Sequence, residues 1–249
     1  MDFSHFLYSS DSIPDGFGFS LFSPLHLFWL FLCAAVAVGC CILYKKLKPK
    51  GRRKMLWVMT ALLVGDEIWK LVWLLSLGLF THSYLPFHLC SINIFLILFF
   101  TLKPNETVGN FLYVICIPTT TAALLFPTWT KLPFWNFMHL HSFSVHILLL
   151  VIPLMLTVGG DIKPSLRRLP ASLLLLLAVA LFAKGANMLW RTNFMFLESV
   201  DDGNPLKLFE TLWGSHYYGY PILGGLMIAV MYTPILILQK LKMKKTATA

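Results

Sequence analysis

Seven apolar stretches, each long enough to cross a bilayer and separated mostly by short basic connections, constrain this chain more than any other feature. They run Leu25–Tyr44, Met55–Phe80, Leu85–Leu102, Val108–Phe126, Phe134–Thr157, Leu169–Trp190 and Tyr217–Leu238. A helix needs roughly 20 mostly apolar residues to span the hydrocarbon, and the second and fifth stretches are long enough to tilt. With 57% hydrophobic residues, 12% charged residues and a mean hydropathy of +0.73, a water-soluble domain is excluded. The expected fold is all-α: one polytopic membrane domain, residues 1–249, of seven transmembrane helices.

The formal charge of +9 does not mark a nucleic-acid binder, because no soluble fold carries it on one face. Fifteen lysines and arginines cluster in one set of loops: Lys45, Lys46, Lys48, Lys50, Arg52, Arg53, Lys54, Lys103, Lys163, Arg167, Arg168, Lys240, Lys242, Lys244 and Lys245. The other set holds three, Lys131, Arg191 and Lys207. The positive-inside bias puts the first set in the cytoplasm, with the N-terminus outside and the C-terminus inside. Asp2, His5 and Asp11 open the chain without a basic segment, so a cleavable signal peptide is not expected. Cys33, Cys40, Cys41, Cys90 and Cys116 all fall in apolar stretches, so neither a disulfide framework nor a zinc site is expected.

Against this background the polar residues inside the apolar stretches stand out. Asp66, Glu67 and Lys70 lie in the second, His88, Cys90, Ser91 and Asn93 in the third, His146 in the fifth, and Lys184 and Asn187 in the sixth. Ionisable groups in hydrocarbon are costly and persist mainly where they face a bundle interior or wet cavity. Helical rise places Cys90 about 8 Å and His146 about 18 Å below the start of their stretches. Asp66 and Glu67 fall near the middle, with Thr119, Thr120 and Thr121 at comparable depth.

Each cluster has two readings. Asp66 and Glu67 sit four and three residues before Lys70, so one helical face can pair the charges simply to make insertion tolerable. Alternatively, one carboxylate orients a histidine and Lys184 partners the other. Cys90 is either packing or a nucleophile, the latter needing a base such as His146 at similar depth. His139, His141 and His146 are spaced by two and five residues, where helical metal pairs favour three or four, so no metal is expected. His139 and His141 are expected at the interface beside Trp135 and Phe137. Lys184, Asn187 and Arg191 form a stripe suited to a lipid phosphate. Gly214, Gly219, Gly224 and Gly225 suggest close helix packing.

The run Leu85-Pro86-Phe87-His88-Leu89-Cys90-Ser91 resembles the "LPxHLC" signature of the YwaF-type integral membrane proteins of bacteria. His146 falls where that family has a histidine, and Asn187 to Leu197, with Asn193-Phe194-Met195-Phe196-Leu197, is similar to its "N…NYMFL" stretch. Glu67 matches an acidic position in the second span. The family's terminal "GPWPWY" motif is met only loosely, at Leu212 to Tyr218. Eukaryotic relatives resemble an acyltransferase that remodels ether phospholipids with a cysteine and a histidine. The resemblance implies that Cys90 is the nucleophile and His146 the general base, in a bacterial cytoplasmic membrane.

The expected function is therefore acyl transfer between lipids, without cofactor, in an outward-opening cavity. Asp66 or Glu67 would orient a base, and His88 or Asn93 would stabilise the oxyanion. Asn93, Lys184, Asn187, Arg191 and Asn193 would bind a phospholipid or lysophospholipid. A transporter of a small polar or lipid substrate and a non-catalytic lipid-binding subunit are the alternatives.

Overall fold

A computed structural model describes residues 5–8, 12–14 and 16–247, without the side chains at 238–239 and 242–247. Asp2 and Asp11, which bear on the signal-peptide expectation, lie outside the described residues, as do the side chains of Lys242, Lys244 and Lys245. The described chain is helical, with no strand: α1 (Pro24–Lys46), α2 (Pro49–Ser76), α3 (Leu89–Leu102), α4 (Glu106–Phe111), α5 (Ile117–Leu125), α6 (Phe137–Gly159), α7 (Leu169–Trp190), α8 (Leu206–Trp213) and α9 (Gly219–Ala247). Five segments are long and apolar enough to cross a membrane: Pro24–Lys46, Glu106–Leu125, Phe137–Gly159, Leu166–Trp190 and His216–Ile237.

The other two expected spans differ for physical reasons. At 28 residues α2 is long enough to cross, but Asp66, Glu67 and Lys70 interrupt its middle. The stretch Leu85–Leu102 yields a helix of only 14 residues, about 21 Å long and short of the hydrocarbon thickness. Pro86 lacks an N–H and holds Leu85 extended at ψ 145°, so helix begins only at Leu89, after His88. The fourth span is broken by a π-helical turn, Leu112–Cys116, joining α4 to α5. Pro118 follows that turn and cannot donate to a preceding carbonyl. Thr119 Oγ1 donates to Ile115 O at 2.6 Å, and Thr121 Oγ1 donates to Ile117 O at 2.8 Å. Both hydroxyls thus bond back to carbonyls four residues earlier on their own helical segment, which satisfies them in apolar surroundings.

The broken segment and α6 form the interior. Phe111, Leu112, Val114, Cys116, Phe143, Leu149, Val151 and Ile152 are fully buried, and α6 packs on α1, α2 and α5. Trp29 of α1 stacks on Phe143 with centroids 4.6 Å apart. Outward, α1, α7 and α9 expose Phe31, Leu174, Leu181, Leu226 and Val230, apolar faces suited to hydrocarbon. Asn136 caps α6 by accepting from Met138 N and His139 N, and Gly160 ends it at φ 85°. Of the four glycines expected to pack closely, Gly219 does so, where a Cβ would meet Leu206 and Phe209 at 2.6 and 2.7 Å; Gly214, Gly224 and Gly225 face open space. The stretch Arg191–His216, read as a polar connection, contains an amphipathic helix, α8, with Leu206 and Phe209 buried.

Candidate functional site

The charged face of α2 meets α6. Asp66 Oδ1 accepts from His141 Nδ1 at 3.1 Å, and Asp66 Oδ2 accepts from Ser144 Oγ at 2.8 Å. Glu67 Oε1 pairs with Lys70 Nζ at 2.5 Å, while Glu67 Oε2 lies 3.8 Å from His141 Nε2. The imidazole of His141 therefore sits between two carboxylates. His141 is buried and belongs to this cluster rather than presenting its ring outward. The sequence reading gives His141 no carboxylate partner and does not single out Ser144. Their spacing of three on one face of α6, level with a surplus of acid on α2, was the available signal.

The three histidines of α6 have separate roles. His139, in the first turn of α6, is fully buried. Trp29 Nε1 donates to its Nε2 at 2.9 Å, so its Nδ1 donates to Leu132 O at 3.0 Å. Both nitrogens are occupied and no base or ligand is left. His146 Nδ1 lies 2.6 Å from Ser142 O. A carbonyl only accepts, so Nδ1 carries the proton and Nε2 keeps its lone pair. Trp129 stacks on this ring at 4.8 Å and fixes its plane.

On α3 the buried residues Asn93, Ile94, Ile97, Phe100 and Thr101 trace the inward stripe, and Cys90 continues it one turn before Asn93. Cys90 packs against the core, and among the described residues no hydrogen bond joins its Sγ to His146, whose Nδ1 is on Ser142 O. Cys116 lies within electrostatic reach of Cys90, Lys70 of His88, and both His88 and His141 of His146. Asn93 is fully buried, yet among the described residues neither its Oδ1 nor its Nδ2 has a partner. Thr60 of α2 and Thr101 of α3 are joined at 2.9 Å, and Glu67 and Asn93 each stand about two turns, roughly 11 Å, along from that pair. Asn93 therefore shares a layer with the charged cluster.

The segment after α7 covers His88. Met195 N donates to His88 Nδ1 at 3.3 Å, leaving Nε2 as the protonated nitrogen, and the rings of Phe194 and Phe196 lie 5.3 and 5.9 Å away. Arg191, Met195 and Phe196 adopt φ of 53°, 58° and 58°, a left-handed conformation costly for side chains of this size. Hydrogen bonds hold the shape: Tyr220 OH donates to Met195 O at 3.1 Å and Phe196 O at 2.9 Å. Asn187, buried, accepts from Phe194 N at 2.7 Å and from Thr192 Oγ1 at 3.0 Å, and donates to Phe194 O at 3.1 Å.

Of the residues expected to bind lipid, Lys184, Asn187 and Asn193 have protein partners here. Lys184 is half-buried and held by Glu198, both oxygens at 2.9 Å, so it is not a partner of Asp66. Asn187 has its amide engaged by the covering segment, and Arg191 is an exposed left-handed cap of α7. Asn193 donates to Ser199 O at 2.9 Å and accepts from Glu198 N at 3.0 Å. These residues shape the cover over His88 and do not line an open groove beside Cys90. A helix-face argument cannot anticipate this, because the partners come from a connection with no periodicity.

Compared with known proteins, the chain matches the TMEM164 family over residues 21–233. No curated protein and no solved structure matches it.

Proposed function

This chain belongs to the TMEM164 family, a family of transmembrane proteins, and from that premise we propose that it is a seven-pass lipid acyltransferase with Cys90 as nucleophile and His146 as general base. In this reading α2 and α3 complete seven spans, with the N-terminus outside and the C-terminus inside. The observation that carries the proposal is the buried, unpaired amide of Asn93 one turn from Cys90. An orphaned carboxamide costs free energy unless something uses it, and an ester oxygen at that site would accept from its Nδ2. His88, with a protonated Nε2, offers a second donor, and His146, with a free Nε2, offers the base.

The chemistry then balances without a cofactor. Cys90 gives its proton to His146 Nε2, and the thiolate attacks the carbonyl carbon of a phospholipid ester. The C–S bond forms, the ester C–O bond breaks, and the leaving alkoxide takes the proton from His146. The hydroxyl of a lysophospholipid repeats the cycle in reverse, and Cys90 recovers its proton. Donors aimed at the oxyanion would supply much of the rate, and the Asp66–His141–Glu67–Lys70 cluster would fix α2 against α6 behind the site. Water as acceptor would make the same steps a lipase.

The test is the intermediate itself. Purified protein incubated with phospholipid should gain the mass of one acyl group on Cys90, releasable by hydroxylamine. His146→Ala should slow its formation by about 10²–10⁴-fold, the span of general-base contributions. A Cys90→Ala protein that still moves acyl chains between lipids would end the proposal. Transport is the second reading, favoured by the charged layer and the broken fourth segment. Substrate-dependent ion flux in proteoliposomes, undiminished in Cys90→Ala, would establish it.

A further inference from the structure

At the opposite end of α3 and α6 from Cys90 lies a cavity of about 400 Å³, bounded by Pro164, Ser165, Leu166 and Arg167 on one side and Tyr232, Ile235 and Leu236 of α9 on the other. That volume is within the range of small-molecule sites. Two apolar segments, Leu166–Trp190 and His216–Ile237, both end here, so the cavity lies at the boundary between hydrocarbon and headgroups.

The chemistry of its lining is divided. Its polar lining groups, Ser165 and Tyr232, are satisfied by Asn110 behind them: Asn110 Oδ1 accepts from Ser165 N at 2.8 Å and Tyr232 OH at 2.9 Å, and Asn110 Nδ2 donates to Ser172 Oγ at 3.1 Å. Neighbouring charges are also matched, with Arg168 on Glu106 and Asp161 on Arg52. Arg167 is different. It is exposed, and no carboxylate pairs with it among the described residues. Beside it Leu166 and Leu236 present exposed apolar surface.

We infer that this cavity is a binding site for an anionic glycerophospholipid, its phosphate on Arg167 and its upper acyl chain against Leu166, Ile235 and Leu236. A guanidinium presents parallel N–H donors matched to phosphate oxygens. An unmatched cation at headgroup depth, with apolar walls leading into hydrocarbon, suits a molecule with one anionic end and one hydrocarbon end. Lys163 adds positive charge to the same loop, which favours an anionic over a zwitterionic headgroup. The site is separate from Cys90 and does not depend on the proposed acyl transfer.

Native mass spectrometry of the full chain in detergent, titrated with phosphatidylglycerol or phosphatidylcholine, tests the site. Wild type should retain phosphatidylglycerol in preference to phosphatidylcholine, and Arg167→Gln should weaken retention at least about tenfold, as loss of a charge-assisted pair predicts. Arg53→Gln, which removes an exposed cation elsewhere on the same end, should leave it unchanged. Leu236→Trp, which fills the chain-facing wall, should also exclude the lipid while Arg167 remains. Equal losses in Arg53→Gln and Arg167→Gln would reduce the effect to diffuse surface charge and overturn the site. So would complete displacement of the lipid by millimolar inorganic phosphate, which would make the ligand a free anion.

Discussion

Asp66 of α2 and His141 of α6 are joined at 3.1 Å, and the second oxygen of the same carboxylate holds Ser144 at 2.8 Å. One acidic side chain thus fixes two residues of a neighbouring helix. Asp66→Asn and His141→Gln should each lower the melting temperature of the detergent-purified protein. Because the two residues share one bond, their effects should not add: a double-mutant cycle should give a coupling of about 1–3 kcal/mol. Additive losses would show that the contact contributes nothing of its own.

Asn93 should behave in the opposite way in stability and in function. Its carboxamide is buried without partners, so Asn93→Leu, close in volume, removes an unsatisfied polar group and should raise the melting temperature. If the amide serves an oxyanion, the same change should slow acyl-thioester formation by about 10²–10³-fold. Thermal melts and the mass assay on one preparation report both effects. A destabilised protein with full activity would remove Asn93 from the site.

Tyr220 secures the cover over His88 through two bonds to the left-handed residues Met195 and Phe196. Tyr220→Phe leaves the ring and deletes the bonds. With backbone strain stored in that segment, the cover should open more often, and a small thiol reagent should modify Cys90 several-fold faster than in wild type. Unchanged labelling would mean that reagent and substrate reach Cys90 by another route.

Orientation is testable independently of chemistry. A reporter fused after Ala249 should be cytoplasmic, because fifteen of the lysines and arginines outside the apolar stretches belong to that side and three to the other. An external reporter would invert the bundle and the leaflet assigned to Cys90.

The amino-acid sequence by itself determined the helical membrane character, the ends of most segments and the concentration of polar groups on α2, α3 and α6. The apolar lengths and basic flanks leave a chain few other ways to satisfy its backbone in hydrocarbon. It also showed that Lys70 lies one helical turn from both Asp66 and Glu67, since spacings of four and three alone require it. What it left open was which neighbour each face meets. His139 and His141 are two residues apart and read alike, yet one is locked between Trp29 and Leu132 O and the other lies between two carboxylates. Residues two apart on a helix point in directions about 200° apart, so each meets a different partner, and only packing selects which. Lys184 shows the same limit from the other side. Its burial followed from its place in an apolar run, but Glu198, fourteen residues later in an aperiodic connection, returns to neutralise it at the surface. Long-range contacts of that kind are fixed by the path of the folded chain, and no local pattern encodes them.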